Sequence, residues 1–279
     1  MPAGRSASIP APILAATLLA SLALLAGCEL NVKPGATSIF QAFAEPTPEE
    51  AAVWAIDQVD ANNRYRGTLI LSSQPFAGEP LYLRLFADNI KDADPGVRAV
   101  SARALGNHGK AEHAALLVEA LKDRDVLVRR EAARALQRLH APEAAPVLIV
   151  ASREPDLDNP NVPSEVDGEV RAEAARALGQ FAEDRVVQAL IAALGDSRLA
   201  VNVAAQSSLR TLTGQDFGLN RRDWLDWYGE SKAAFAARGV YTFPVFYRER
   251  WWYEYLPFVP PPPSDPTGTP LGLPLPGPR

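Results

Sequence analysis

One pattern recurs along this chain at a nearly constant spacing, and it restricts the fold more than any other feature. Asp94-Pro-Gly-Val97-Arg98 matches Asp125-Val-Leu-Val128-Arg129 at a shift of 31, and Arg103-Ala104-Leu105 falls on Arg134-Ala135-Leu136 at the same shift. Asp167-Gly-Glu-Val170-Arg171, leading to Arg176-Ala177-Leu178, is displaced by 42 because about eleven residues are inserted around 153–163. A fourth copy runs from Val201-Asn202 to Leu209, a further 31 on, with Asn202 in place of the arginine. A fifth, degenerate copy keeps the spacing in Asp60, Arg64 and Leu71. A fixed period of roughly 20 to 50 residues marks an array of one supersecondary unit, which cannot bury its apolar face alone and must stack on its neighbours.

The residue types inside each copy predict helices. At 100° per residue, positions 0, 4, 7 and 8 counted from the valine share one face, and in the second copy they hold Val128, Ala132, Ala135 and Leu136. Small alanines let neighbouring helices approach closely. Ahead of each of these B helices an A helix is expected, closed by the apolar residue seven before the valine: Ile90, Leu121 and Leu194.

These residues resemble the HEAT-like repeats of many bacterial proteins, the short type also seen in phycobilin lyases, over roughly residues 47–215. Leu212-Thr213-Gly214-Gln-Asp-Phe217-Gly218, followed by Trp224 and Trp227, is similar to the close of the last repeat in such proteins. The resemblance implies an all-α, right-handed α-solenoid of about four to five HEAT-like helical hairpins with an aromatic-rich C-terminal cap. It does not imply bilin-lyase activity, because those enzymes are cytosolic and this chain carries an export signal; such repeats serve scaffolds, adaptors and some enzymes alike.

The export signal lies at the start. The apolar run 13–25 follows Arg5 and ends in Leu25-Ala26-Gly27-Cys28, where Cys28 is the only cysteine of 279 residues. A basic residue, a short apolar core and small residues are the parts of a secretory segment, and the run is too short for a comfortable spanning helix. Leu25-Ala26-Gly27-Cys28 resembles the lipobox of bacterial lipoproteins. That resemblance implies cleavage after Gly27, lipidation of Cys28 and, with Glu29 next, sorting to the outer membrane facing the periplasm. Each buried methylene contributes about 0.8 kcal/mol, so two or three acyl chains hold a soluble domain on a membrane. Cleavage removes one of 28 basic residues and none of 33 acidic ones, leaving a formal charge of −6, which argues against nucleic acid as a partner. With Cys28 consumed no disulfide is possible, and the core alone must hold the domain together. The expected organisation is a lipoprotein signal peptide over 1–27, a flexible tether over 28–46, and a degenerate repeat or cap over 47–79. Repeats over 80–215, an aromatic cap over 216–258 and a disordered Pro-rich tail over 259–279 follow.

Two sets of polar residues stand out in the repeats. Asp94, Asp125 and Asp167 sit where an N-cap carboxylate accepts backbone N–H groups, and Arg98, Arg129 and Arg171 are placed to reach the aspartate of an adjacent repeat, which makes a structural ladder. Arg103, Arg134 and Arg176 fall at position 6, about 240° round and opposite the core. They are expected to form an exposed column on the concave side, suited to carboxylate or phosphate groups of a partner, unless neighbours such as Glu131 and Glu173 neutralise them. The insertion bears Asp156 and Asp158, yet its fifth position is Pro160, no glycine follows and position twelve is Asp167, so calcium is not expected. It reads as a polar loop projecting between the third and fourth hairpins.

Catalysis finds no constellation. His108, His113 and His140 lie near inter-helix turns with no cysteine for zinc, and no Gly-x-Ser-x-Gly, phosphate loop or His-Glu-x-x-His is present. No cofactor or metal is expected. After Phe217 aromatic residues crowd the chain; a helix is predicted over 223–237, ended by Gly239, then an extended arm over 240–247. This region either seals the last repeat or folds back along the groove, or offers a stacking platform for wall glycans through Trp251 and Trp252. The tail from Pro260, with four successive prolines, is an extended docking strand or a spacer. The functional expectation is a non-catalytic, lipid-anchored scaffold that binds an unidentified protein in the bacterial cell envelope. The alternative is a wall- or glycan-binding module.

Overall fold

The computed structural model describes residues 46–243, 251–256 and 268–274. The expected signal peptide, Cys28, the tether up to residue 45, residues 244–247 of the expected arm, and most of the Pro-rich tail lie outside the described residues. Among the described residues there are eleven α-helices, two short 3-10 turns and no strand. They are α1 (Pro48–Ala55), α2 (Ala61–Ser72), α3 (Pro80–Asn89), α4 (Pro95–His108), α5 (Ala114–Ala120), α6 (Val126–Ala135), α7 (Ala144–Ala151), α8 (Gly168–Leu178), α9 (Asp184–Ala193), α10 (Leu199–Thr213) and α11 (Arg221–Glu230).

The helices pair as five successive hairpins, α1/α2 to α9/α10, and each second helix stacks on the next: α2 on α4, α4 on α6, α6 on α8, α8 on α10. The result is an all-α solenoid. Positions 0, 4, 7 and 8 are buried in every copy from Val97 to Leu209, and the closing residues Ile90, Leu121 and Leu194 join them. Burial goes further than one face, since Ala102, Ala133 and Ala175 at position 5 are also fully buried. An A helix on one side and B helices on two others leave only a narrow strip of each B helix open to solvent. At Gly106 an added Cβ would stand 2.6 Å from the Ala135 Cβ, so α4 and α6 meet there at a distance only glycine permits.

The starts of the B helices are set by their caps. Asp60 accepts from Asn62 N–H, Asp94 from Val97, Asp125 from Leu127, and Asp167 from Glu169 and Val170. Only α10 begins without a side-chain cap, at Arg198. The insertion lies inside one hairpin, joining α7 to α8, and not between two hairpins as the repeat register suggests. Its ends close on each other: Glu165 N–H donates to the Arg153 carbonyl at 3.0 Å, and Arg153 Nη1 donates to the Pro163 carbonyl at 3.1 Å. A 42-residue period is thereby folded back into the 31-residue stack.

The helix predicted over 223–237 stops at Glu230, because Ser231 turns to an extended conformation after Gly229 has weakened the last turn. The chain reverses, so that Ala237 lies against Gly214 and Gly239 N–H donates to the Thr211 carbonyl at 2.8 Å. Trp224 of α11 is fully buried, edge-on to Phe217 and Trp227, with its indole N–H on the Gly218 carbonyl. At the other end of the row Val53, Ile56 and Val59 are exposed.

Candidate functional site

Three surfaces carry organised polar or apolar groups. The first is the edge formed by the turns inside the hairpins. There Arg64 grips Asp92, Arg98 grips Asp123, Arg129 grips Glu165 and Arg171 grips Asp196, each through Nε and Nη2 at 2.6–2.9 Å. In every case Nη1 donates to carbonyls of the arginine's own hairpin, as Arg98 does to Asp92 and Ala93 at 2.9 Å. One guanidinium thus ties its own turn and the next, and the planar fork is what makes both possible. The acceptor is not the N-cap aspartate expected from the repeat. It is the acid two residues earlier, because Asp94, Asp125 and Asp167 already spend their carboxylates on helix N–H groups. Each acceptor also takes the backbone N–H two residues on, as Asp123 does from Asp125 at 2.8 Å. The row ends at Asn202, whose amide reaches only the Leu194 and Asp196 carbonyls of its own hairpin.

The second surface is the open strip of the B helices. Arg103 is exposed there, but Arg134 and Arg176 do not form a free cationic column with it. Both converge on Glu173, at 3.0 and 3.1 Å, and Gln137 Nε2 donates to its other oxygen at 2.6 Å. Burial pushes the Glu173 carboxyl up, but Arg176, Gln137 and Arg134 together outweigh it and hold it below the usual range. Glu131 lies under Arg134 at 3.5 Å, with one buried oxygen lacking a partner among the described residues. Tyr241 enters this cluster from the C-terminal arm: its ring covers Gly179 and its buried hydroxyl also lacks a partner among the described residues. Burial and the nearby Glu173 raise its phenol, which stays neutral.

The third is a cleft of about 840 Å³ between α7 and α9, walled by the insertion and floored by Ile149, Ala189 and Val162, with Arg153, Arg185 and Arg221 around it. Beyond α11, Trp251 and Trp252 stand 59% and 78% exposed on the 3-10 turn Trp252–Tyr255, braced by Glu254 accepting the Trp251 N–H at 2.7 Å. The three histidines do not converge: His108 bonds the Ser72 carbonyl, His113 caps Lys110 and His140 stacks on Phe181. Among the described residues no group of three or more His, Cys, Asp or Glu could hold a metal, and no helix is long and apolar enough to cross a membrane.

The acids Asp92, Asp123, Glu165 and Asp196 escaped the sequence reading, although they recur at shifts of 31, 42 and 31 and were open to the same test as the arginines. Stacked hairpins, capped B helices and a guanidinium ladder between turns define an all-α solenoid of repeated helical hairpins. Residues 83–159 match the family described as HEAT repeats, and residues 170–196 match the PBS lyase HEAT-like repeat. The second match opens at Val170 and closes at Asp196, so it spans one complete ladder pair, Arg171 with Asp196. Among solved structures the chain is similar to an engineered protein at 20% identity, covering 67% of this chain and 88% of that one, with a TM-score of 0.47. It is also similar to the complex of CpcE and CpcF of phycocyanin lyase from Nostoc sp. PCC7120 at 21% identity, 64% and 80% coverage and a TM-score of 0.40. A third is human deoxyhypusine hydroxylase in complex with glycerol, at 16% identity, 70% and 97% coverage and a TM-score of 0.29. No curated protein matches the chain.

Proposed function

We propose that this chain is a non-catalytic scaffold that binds a protein partner in the bacterial cell envelope, anchored through lipid at Cys28 on the outer membrane and facing the periplasm. The observation that supports it is the ladder. Four two-pronged ion pairs fix each hairpin to the next, so the strip bearing Arg103, Arg134, Glu173 and Arg176 keeps a constant spacing. A preordered surface of this kind loses little freedom on binding, and lipid attachment confines it to a plane, raising its effective concentration toward anything assembled there. Crosslinking capture from intact envelopes tests the reading. One or two proteins enriched with the native chain and lost with Cys28→Ala are the expected result; the same proteins recovered with both would remove the anchor. On the strip, Arg103→Glu is the informative change, because replacing Arg134 or Arg176 would also strip Glu173 of its partners. Undiminished capture by Arg103→Glu would move the partner elsewhere.

A second reading rests on the exposure of Trp251 and Trp252. Two rings this open, with Trp252 edge-on to Tyr253 at 6.0 Å, suit stacking on the sugar faces of wall glycans. Sedimentation with purified wall material, abolished in Trp251→Ala plus Trp252→Ala, is its signature; unchanged sedimentation eliminates it.

A further inference from the structure

Residues 268–274 lie across the turns between successive hairpins, on the edge away from the ladder. Leu271 N–H donates to the Arg138 carbonyl at 2.8 Å, and its own carbonyl accepts the His140 N–H at 2.9 Å, pairing it in parallel with Leu139. Pro270 is buried, while Gly272 turns at φ 86°, with the His140 carbonyl 3.5 Å and the Ala111 Cβ 3.8 Å from where a side chain would begin. Phe243 completes the seat: its N–H donates to the Gly268 carbonyl at 3.2 Å and its ring lies under the Arg138 guanidinium at 4.9 Å. The receiving groups belong to the solenoid, since Leu139 is buried and His140 stacks on Phe181 at 5.0 Å. The seat therefore reads an extended backbone, takes a proline, and requires a glycine one residue after the paired leucine.

We propose that this edge is a docking site for a Pro-Leu-Gly strand that the tail of a second copy of this chain fills as well as its own, so that copies held close together link tail to edge. Three observations support that occupant. The strand is held by three backbone bonds, two to the solenoid and one to Phe243, and by one buried proline, and Leu271 is 52% exposed, so it can leave without opening the repeats. Eleven residues, 257–267, join it to the preceding described turn, a length of chain that spans at most about 40 Å, so no short covalent connection pins the strand to its own edge. A neighbouring copy presents the identical strand, and exchange of an identical element needs no new interface. This edge lies apart from the open strip of the B helices, and its filling does not depend on the lipid anchor.

The test uses full-length chains in detergent and a dye-labelled peptide of residues 264–279. Leu271→Pro removes the N–H that bonds Arg138, and Gly272→Val forces a branched side chain into the left-handed conformation; both lie outside the core. The peptide is expected to bind either variant saturably in fluorescence anisotropy. It should bind the native chain about tenfold more weakly, because the tail already occupies most of the sites. The Gly272→Val peptide should bind neither. Equimolar native and Leu271→Pro chains should give a mixed dimer in native mass spectrometry that excess peptide dissolves. No binding to variants that melt like the native chain overturns the site, and peptide binding without a mixed dimer overturns the second copy as its occupant.

Discussion

Arg171 and Asp196 are the most enclosed members of the ladder, with side chains 3% and 1% exposed. Each satisfies the other with two bonds, so removing one leaves an unpaired charge in the interior. Arg171→Ala is expected to cost about 3–5 kcal/mol in urea denaturation, and Arg171→Lys to recover little, because an ammonium cannot serve both turns at once. The acid side of the ladder sets the response to pH. The Arg64 guanidinium holds Asp92 below the usual carboxylate range; burial pushes Asp123 up, but Arg98 and the Asp125 N–H outweigh it. With Glu173 these groups take up protons more readily when unfolded than when folded. Their stabilisation is therefore complete above the ordinary range and fades as pH falls below about 4. Burial lowers the His140 imidazole, so its contribution fades first, and the melting temperature should decline gently as pH falls below about 6.5 and steeply once the carboxylates protonate below about 4. Glu173→Gln should show a shallower drop, and equal slopes would remove Glu173 from the account.

At the scale of elements, packing distance and cap chemistry decide where helices start and how near they come. Gly106→Val would drive a branched side chain into Ala135, and a loss of about 1–3 kcal/mol is expected with the helical content unchanged by circular dichroism. The insertion separates into a dispensable tip and a required base. Residues 156–161 lie mainly at the surface, so replacing them by two glycines should shift stability by less than about 1 kcal/mol. Glu165→Ala strands the Arg129 fork and should cost roughly 2 kcal/mol, measured on the same denaturation curve. A tip as costly as the base would mean that the loop, and not Glu165, holds α7 and α8 in register.

At the scale of the molecule, stability passes from each hairpin to its neighbour, so the ends are the weak points. Trp224→Ala removes the largest buried side chain of the C-terminal end and should cost about 3–5 kcal/mol. Hydrogen exchange should then show α10 and α11 opening first while α4 and α6 remain protected. Simultaneous opening of all helices would show a single cooperative block instead. The hairpins, their caps and the arginine half of the ladder are legible in the chain because they are local and periodic. Helical spacing, an aspartate before four of the five B helices and a shift of 31 residues state them directly. Even the acceptor acids repeat at the same shifts, so they too lie within reach of the sequence. Which of two acids each guanidinium takes is decided by a few ångströms of stacking. The same holds for the neutralisation of Arg134 and Arg176 on Glu173, the insertion's place inside a hairpin, and the early end of α11. Least legible is the strand at Leu271, whose partners Arg138 and His140 lie far away along the chain. Periodicity records contacts a few residues apart within a helix and from one hairpin to the next. Contacts between distant segments exist only once the stacked hairpins have made an edge for the tail to meet, and that is what the tertiary structure alone decides.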